Sequence, residues 1–247
     1  MSKLAKDSIK DDLPFSAPPV LTDAILHRIH DLNLDYLRLL SREQADSSCS
    51  AQLPHFPPKS LELLTRCDET ALQKIARVPY TLYSLGFENL KFWQAACDVR
   101  DELASRYCVN SSVWVQGPFF EVALLLAWHI ANSSRLAARV LLAMPDALVE
   151  LFAKTPLSQV RRIAIDYPGL LMPRWPTNPG FWPELMRLAT QNDRIRLNNV
   201  KLLGTQLIAA QLQAAEGLDA RVLNAHRLQY AARVRSGKIR MKLGTTS

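Results

Sequence analysis

Residues 72–93 read LQKIARVPYTLYSLGFENLKFW, and residues 160–182 read VRRIAIDYPGLLMPRWPTNPGFW. In each stretch an Ile-Ala pair closes an amphipathic run, a proline stops it, and a Phe-Trp pair follows. From Ile75 to Phe92 is 17 residues and from Ile163 to Phe181 is 18, so the two align with one inserted residue. Upstream, His30-x-x-Asn33 answers His129-x-x-Asn132. From His30 to Ile75 is 45 residues and from His129 to Ile163 is 34, and the surplus of 11 falls where the first copy carries a Ser/Pro-rich stretch. Loops accept such insertions at small free-energy cost. The spacing predicts a duplicated helical unit; the plainer alternative is two helical hairpins that share caps and apolar spacing.

Working outward, LTDAILHRIHDLNLDYLRLLSREQ (21–44) places Thr22 as a helix cap and Ile25, Ile29, Leu32, Tyr36, Leu39 and Leu40 as an apolar stripe. ADSSCSAQLPHFPPKS (45–60) reads as a surface loop. LELLTRCDETALQKIARVPYTLYSLGF (61–87) gives a short helix, a turn capped by Asp68, and a second helix that stops ahead of Pro79. A further helix is expected over 94–112, ending near Asn110. FFEVALLLAWHIANSSRLAARVLLAM (119–144) is helical again, and DALVELFAKTPLSQVRRIAIDYP (146–168) repeats the hairpin, with Thr155 as N-cap and Pro156 at the first helical position. One or two amphipathic helices follow over 181–217, with Gly217 as the expected stop.

The expected fold class is therefore all-α, a tandem repeat of a small helical unit with additional C-terminal helices. Its expected divisions are a disordered segment at 1–20, a first unit at 21–112, a second unit with an added helix at 113–217, and a basic tail at 218–247. Composition agrees, since only 8 glycines occur in 247 residues and Leu, Ala, Arg and Gln recur at three- and four-residue spacings.

The opening residues MSKLAKDSIKDDLPFSAPP mix acids and bases, so neither a signal peptide nor an anchor is expected there. FFEVALLLAWHIA is shorter than the roughly 20 residues a membrane-spanning helix needs. No membrane insertion and a cytoplasmic location are the expectations. Cys49, Cys67, Cys97 and Cys108 form no CxxC pair, which points to reduced, structural thiols, with Cys49 in its Ser-rich loop the one best placed to react or to form an intermolecular disulfide.

Charge is concentrated at one end. From Leu218 onward Arg221, Arg227, Arg233, Arg235, Lys238, Arg240 and Lys242 stand against Asp219 alone, so +6 of the net +7 lies in this tail. Leu223, Leu228, Ala231 and Val234 give a short helix there, broken by Ser236-Gly237. Such a tail suits a phosphate backbone, with salt-sensitive binding through counterion release. The alternatives are an acidic protein or membrane surface, or a solvated terminus.

ILHRIHDLNLDYLRLL followed by LLTRCDETALQKIARVPYTLYSLGF resembles the FlhD family, a subunit of the bacterial flagellar master regulator. The likeness is carried by His27, Ile29, Leu32, Asn33, Leu34, Tyr36 and Leu37, then Leu72, Ile75, Ala76, Leu82 and Phe87, over about residues 22–90, with a diverged second copy at about 119–185. The resemblance implies a small all-helical regulator that pairs with a copy of itself and works with a zinc-binding FlhC subunit to bind promoters and recruit RNA polymerase. This chain departs from it in being about twice as long and in lacking a zinc-ligand cluster. A tandem pair would supply the second copy within one chain, at an effective concentration in the millimolar range.

The expected function is thus FlhD-like transcription regulation, as a flagellar activator acting on DNA with a partner such as an FlhC-like subunit or RNA polymerase, with homo-oligomerisation left open. The alternative is a helical scaffold or adaptor of a secretion or flagellar export apparatus. Beyond the tail, Lys74 and Arg77 on the first hairpin and Arg161 and Arg162 on the second are candidate DNA contacts, set against ordinary solvent-facing bases. Trp175, Phe181 and Trp182, held among Pro173, Pro176, Pro179 and Pro183, are candidate partner anchors, set against a lid on their own core. His27 and His30 have no third ligand placed by sequence, and no nucleophile–base pair or phosphate loop is evident, so no metal, cofactor or catalytic residue is expected.

Overall fold

A computed structural model describes residues 23–45, 56, 58–98 and 116–235, with the backbone alone for 43–45, 58 and 218–235. Thr22, Cys49, Cys108 and the segment 1–20 lie outside the described residues. The protein is mostly helical. The first half carries α1 (Asp23–Ala45), α2 (Pro58–Thr65), α3 (Glu69–Ala76), strand β1 (Tyr83–Ser84) and α4 (Leu90–Cys97). The second half carries α5 (Gly117–Ser133), α6 (Arg135–Leu142), α7 (Asp146–Lys154), α8 (Leu157–Asp166), a 3-10 turn (Pro168–Leu170), strand β2 (Met172–Pro173) and α9 (Trp182–Gln191). A long helix, α10 (Arg194–Arg235), follows.

Of the stripe expected on α1, Ile29, Leu32, Tyr36 and Leu40 are buried and Ile25 and Leu39 partly so, and Leu37, outside it, is buried as well. α3 starts where expected because the Asp68 side chain accepts a hydrogen bond from the Ala71 amide at 2.7 Å. It buries Ala71, Leu72, Ile75 and Ala76, and α8 buries Gln159, Val160, Ile163 and Ala164 in the same register. β1 and β2 pair antiparallel, Tyr83 opposite Pro173 and Ser84 opposite Met172. This two-residue ladder is a departure from the all-α expectation, and it joins the loops that follow α3 and α8.

Beyond the ladder the chain crosses over. α4 packs on α7 and α8 of the second half, and α9 packs on α2 and α3 of the first. The Phe-Trp pairs are the anchors of this exchange. Trp93 meets Phe152 edge-to-face at 5.1 Å and Phe92 meets Tyr167 likewise at 5.1 Å, while Trp182 meets Phe56 edge-to-face at 5.0 Å and Phe181 lies 6.4 Å from Tyr80. Each indole N–H donates to a carbonyl of its own preceding loop, Trp93 Nε1 to Gly86 O at 2.9 Å and Trp182 Nε1 to Arg174 O at 2.6 Å. One apolar core runs through both halves.

Several local expectations are corrected. Thr155 is the C-cap of α7, its hydroxyl donating to Leu151 O at 2.8 Å, and Pro156 occupies the N-cap of α8. The α5–α6 stretch is broken at Ser134, whose side chain accepts from the Ala137 amide and starts α6. The helix expected over 94–112 begins earlier, at Leu90 with Asn89 accepting from the Phe92 amide, and ends at Cys97; residues 99–112 lie outside the described residues. Gly217 does not stop α10, which runs on to Arg235. A Cβ there would meet nothing within 4 Å, so the glycine carries only its propensity cost of about 1 kcal/mol, which the helix-forming neighbours on both sides absorb.

Candidate functional site

The C-terminal end of α3 is where three elements remote in sequence meet. Asn33 on α1 is fully buried there, donating through Nδ2 to Ala76 O at 3.1 Å and Tyr80 O at 2.8 Å and accepting from the Leu82 amide at 2.8 Å. The bond to Ala76 O satisfies a carbonyl that the end of α3 leaves without a helical partner, and the other two pin the loop that follows. α10 closes over the same end. The Tyr80 hydroxyl donates to Lys201 O at 3.1 Å, and Lys201 Nζ donates to Arg77 O at 3.1 Å.

His30 lies one turn before Asn33 on α1 and is therefore held beside Arg77 and Lys201. Its imidazole contacts His27 edge-on, ring centroids 6.4 Å apart. Burial pushes the His30 pKa down first, and the charges of His27, Lys201 and Arg77 push it further, with Asp31 alone opposing. Lys201 is likewise lowered, by burial and then by Arg77. Four basic side chains thus share one patch, and none of them makes an ion pair among the described residues.

Several arginines elsewhere are matched. Arg38 bonds Asp35 and Glu69, Arg135 bonds Asp146 and Glu150, and Arg139 bonds Asp146 and Glu216. Arg187 pairs with Glu184 and Arg196 with Asp193. Arg174 is buried and serves the fold: it donates to Thr81 Oγ1, to Gln211 Oε1 at 3.3 Å and to Leu142 O at 2.5 Å, at the C-terminal end of α6. Burial lowers its pKa to about 10.

Of the residues singled out from sequence, Arg77 falls in the basic patch. Lys74 is half-buried on α3, Arg161 is exposed on α8 and paired with Glu121 at 3.3 Å, and Arg162 is exposed. Arg221, Arg227, Arg233 and Arg235 lie on the C-terminal stretch of α10, described as backbone alone, and Lys238, Arg240 and Lys242 lie outside the described residues. The aromatic partner anchors are corrected: Phe181 and Trp182 are fully buried and belong to the core. Trp175 is half-buried, at φ 47°, against Phe181 at 4.7 Å and Tyr80 at 5.8 Å, so it too packs inward.

His30 and Lys201 were not singled out as contacts because the patch is assembled only by tertiary packing; the local signal, a basic residue on each of three helices, is too common to read alone. No group of three or more His, Cys, Asp or Glu among the described residues is arranged to hold a metal ion. No described helix is long and apolar enough to cross a membrane. Comparison of the chain with protein-family models, with curated proteins and with solved structures returns no match.

Proposed function

We propose that this chain is a helical transcription regulator similar to the FlhD family, in which two related units pair within one polypeptide and act on DNA together with a protein partner. The observation that carries this reading is the reciprocal seating of the two Phe-Trp pairs, each anchored in the opposite half, with α3 and α8 burying matched positions and β1 pairing with β2. A unit that needs a copy of itself to cover its core finds that copy in the same chain, and linkage removes the concentration dependence of pairing.

The DNA reading rests on charge. α10 runs to Arg235 and includes Arg221, Arg227, Arg233 and Arg235, followed in sequence by Lys238, Arg240 and Lys242. Bases spread along an extended element neutralise successive phosphates, which gives affinity without base readout. Sequence preference then falls to the protein partner, an FlhC-like subunit or RNA polymerase, in a cytoplasmic setting.

The test is a DNA titration at two salt concentrations with the full chain and with a chain lacking residues 218–247. Affinity that falls steeply with salt, and weakens on truncation, is expected. A full chain with no salt-dependent affinity, which still captures export-apparatus proteins on co-purification, would make it an adaptor instead.

A further inference from the structure

We propose that His27, His30, Arg77 and Lys201 form a binding site for a phosphate group, supplied either by a nucleic-acid backbone or by a free phosphate. The backbone source rests on the DNA reading above; the phosphate chemistry stands without it.

Three observations carry the proposal. The four side chains come from α1, the residue that caps α3, and α10, and the fold brings them together through Asn33 and Tyr80, whose hydrogen bonds fix α1 and α10 against the same helix end. No member of the patch makes an ion pair among the described residues, whereas Arg135 and Arg139 of α6, Arg187 of α9 and Arg196 of α10 each have a carboxylate. Asp31 is the single acid whose charge acts on His30, against three bases. Finally, the ammonium is ordered in advance: Lys201 Nζ spends one N–H on Arg77 O and keeps two, and the Arg77 guanidinium has its planar donor fork unspent.

Like charges held together raise the free energy of the empty site, and an anion removes that repulsion as it binds. A phosphate oxygen can take Lys201 and the Arg77 fork at once. His30, whose pKa burial and its basic neighbours push down, becomes the responsive member, because a bound phosphate favours its protonated form.

The full chain is titrated with a fluorescent DNA duplex, and separately with inorganic phosphate, while the His30 imidazole is followed by NMR across pH. For Arg77→Gln/Lys201→Gln, duplex affinity is expected to fall about tenfold and the log-affinity against log-salt slope to lessen by about 2. Lys201→Arg, which keeps the charge, restores most of the affinity. In the unaltered chain either phosphate source raises the His30 pKa, and in the double variant neither does. His27→Gln alters an exposed side chain and carries the same test at a smaller, about twofold, loss should the double variant not fold.

Duplex binding with unchanged affinity and slope in the variants overturns the site and leaves the DNA reading intact. No duplex binding, with inorganic phosphate still raising the His30 pKa, keeps the site and removes that reading. A His30 pKa that neither source moves overturns the site.

Discussion

A Cβ on Gly204 would sit 1.8 Å from the hydroxyl oxygen of Tyr80 and 2.3 Å from its Cζ. α10 therefore crosses the loop after α3 at a separation only glycine permits. The Tyr80 ring is hemmed by Trp175 at 5.8 Å and Phe181 at 6.4 Å, so it has no room to swing aside. Gly204→Ala ought to gain about 1 kcal/mol from helix propensity. Overpacking, at about 1–3 kcal/mol, and loss of the bond to Lys201 O, at about 1 kcal/mol, outweigh it. Urea unfolding should show a net loss of about 1–3 kcal/mol; a raised midpoint would mean that α10 does not rest on Tyr80.

Asn33 and Asn132 occupy the same place in their His-x-x-Asn motifs but do different work. Asn33 spends three buried hydrogen bonds on the loop after α3, while Asn132 is exposed and donates to Trp128 O of its own helix. Asn33→Ala leaves two carbonyls and an amide buried without partners, at a cost of about 3 kcal/mol or more. Asn132→Ala should stay within about 0.5 kcal/mol. Equal losses in a denaturation series would contradict this assignment.

Trp182→Phe orphans Arg174 O, Trp93→Phe removes one of the two donors to Gly86 O, and each shrinks an anchor seated in the opposite half. Because one core joins the halves, both substitutions should lower a single melting transition, each by about 2–4 kcal/mol of stability. Two separated transitions in either variant, by calorimetry, would show halves that unfold independently.

The hydrogen bond from Arg135, with the charge of Arg139, holds the Asp146 carboxyl below its usual pKa. Its contribution is therefore present above the unfolded value near 3.8 and is lost as pH falls through the lower folded value. Asp146→Asn should cost no more than about 1 kcal/mol at neutral pH, and the difference from the parent should vanish at strongly acid pH and shrink in high salt. A difference unchanged between pH 7 and pH 2 would assign the effect to packing.

What could be read from the sequence was local. The stripe on α1 and the Asp68 cap were legible because each is decided within four residues. Thr155 was misread because a Thr-Pro step suits the end of one helix as well as the start of the next, and only the position of Leu151 O decides. The Pro-fixed aromatics left open a partner landing site or a lid on their own core, and the burial of Phe181 and Trp182 favours the lid. The basic patch was invisible for the same reason as the task of Asn33: its members meet only after residues more than forty positions apart have packed.

The exchange of the last helices has a consequence for synthesis. Trp182 leaves the ribosome 89 residues after Trp93, a delay on the order of 5–20 s at ordinary elongation rates. Until then Phe56 lacks the indole it packs against at 5.0 Å in the completed chain, so the first half cannot close its share of the common core on its own.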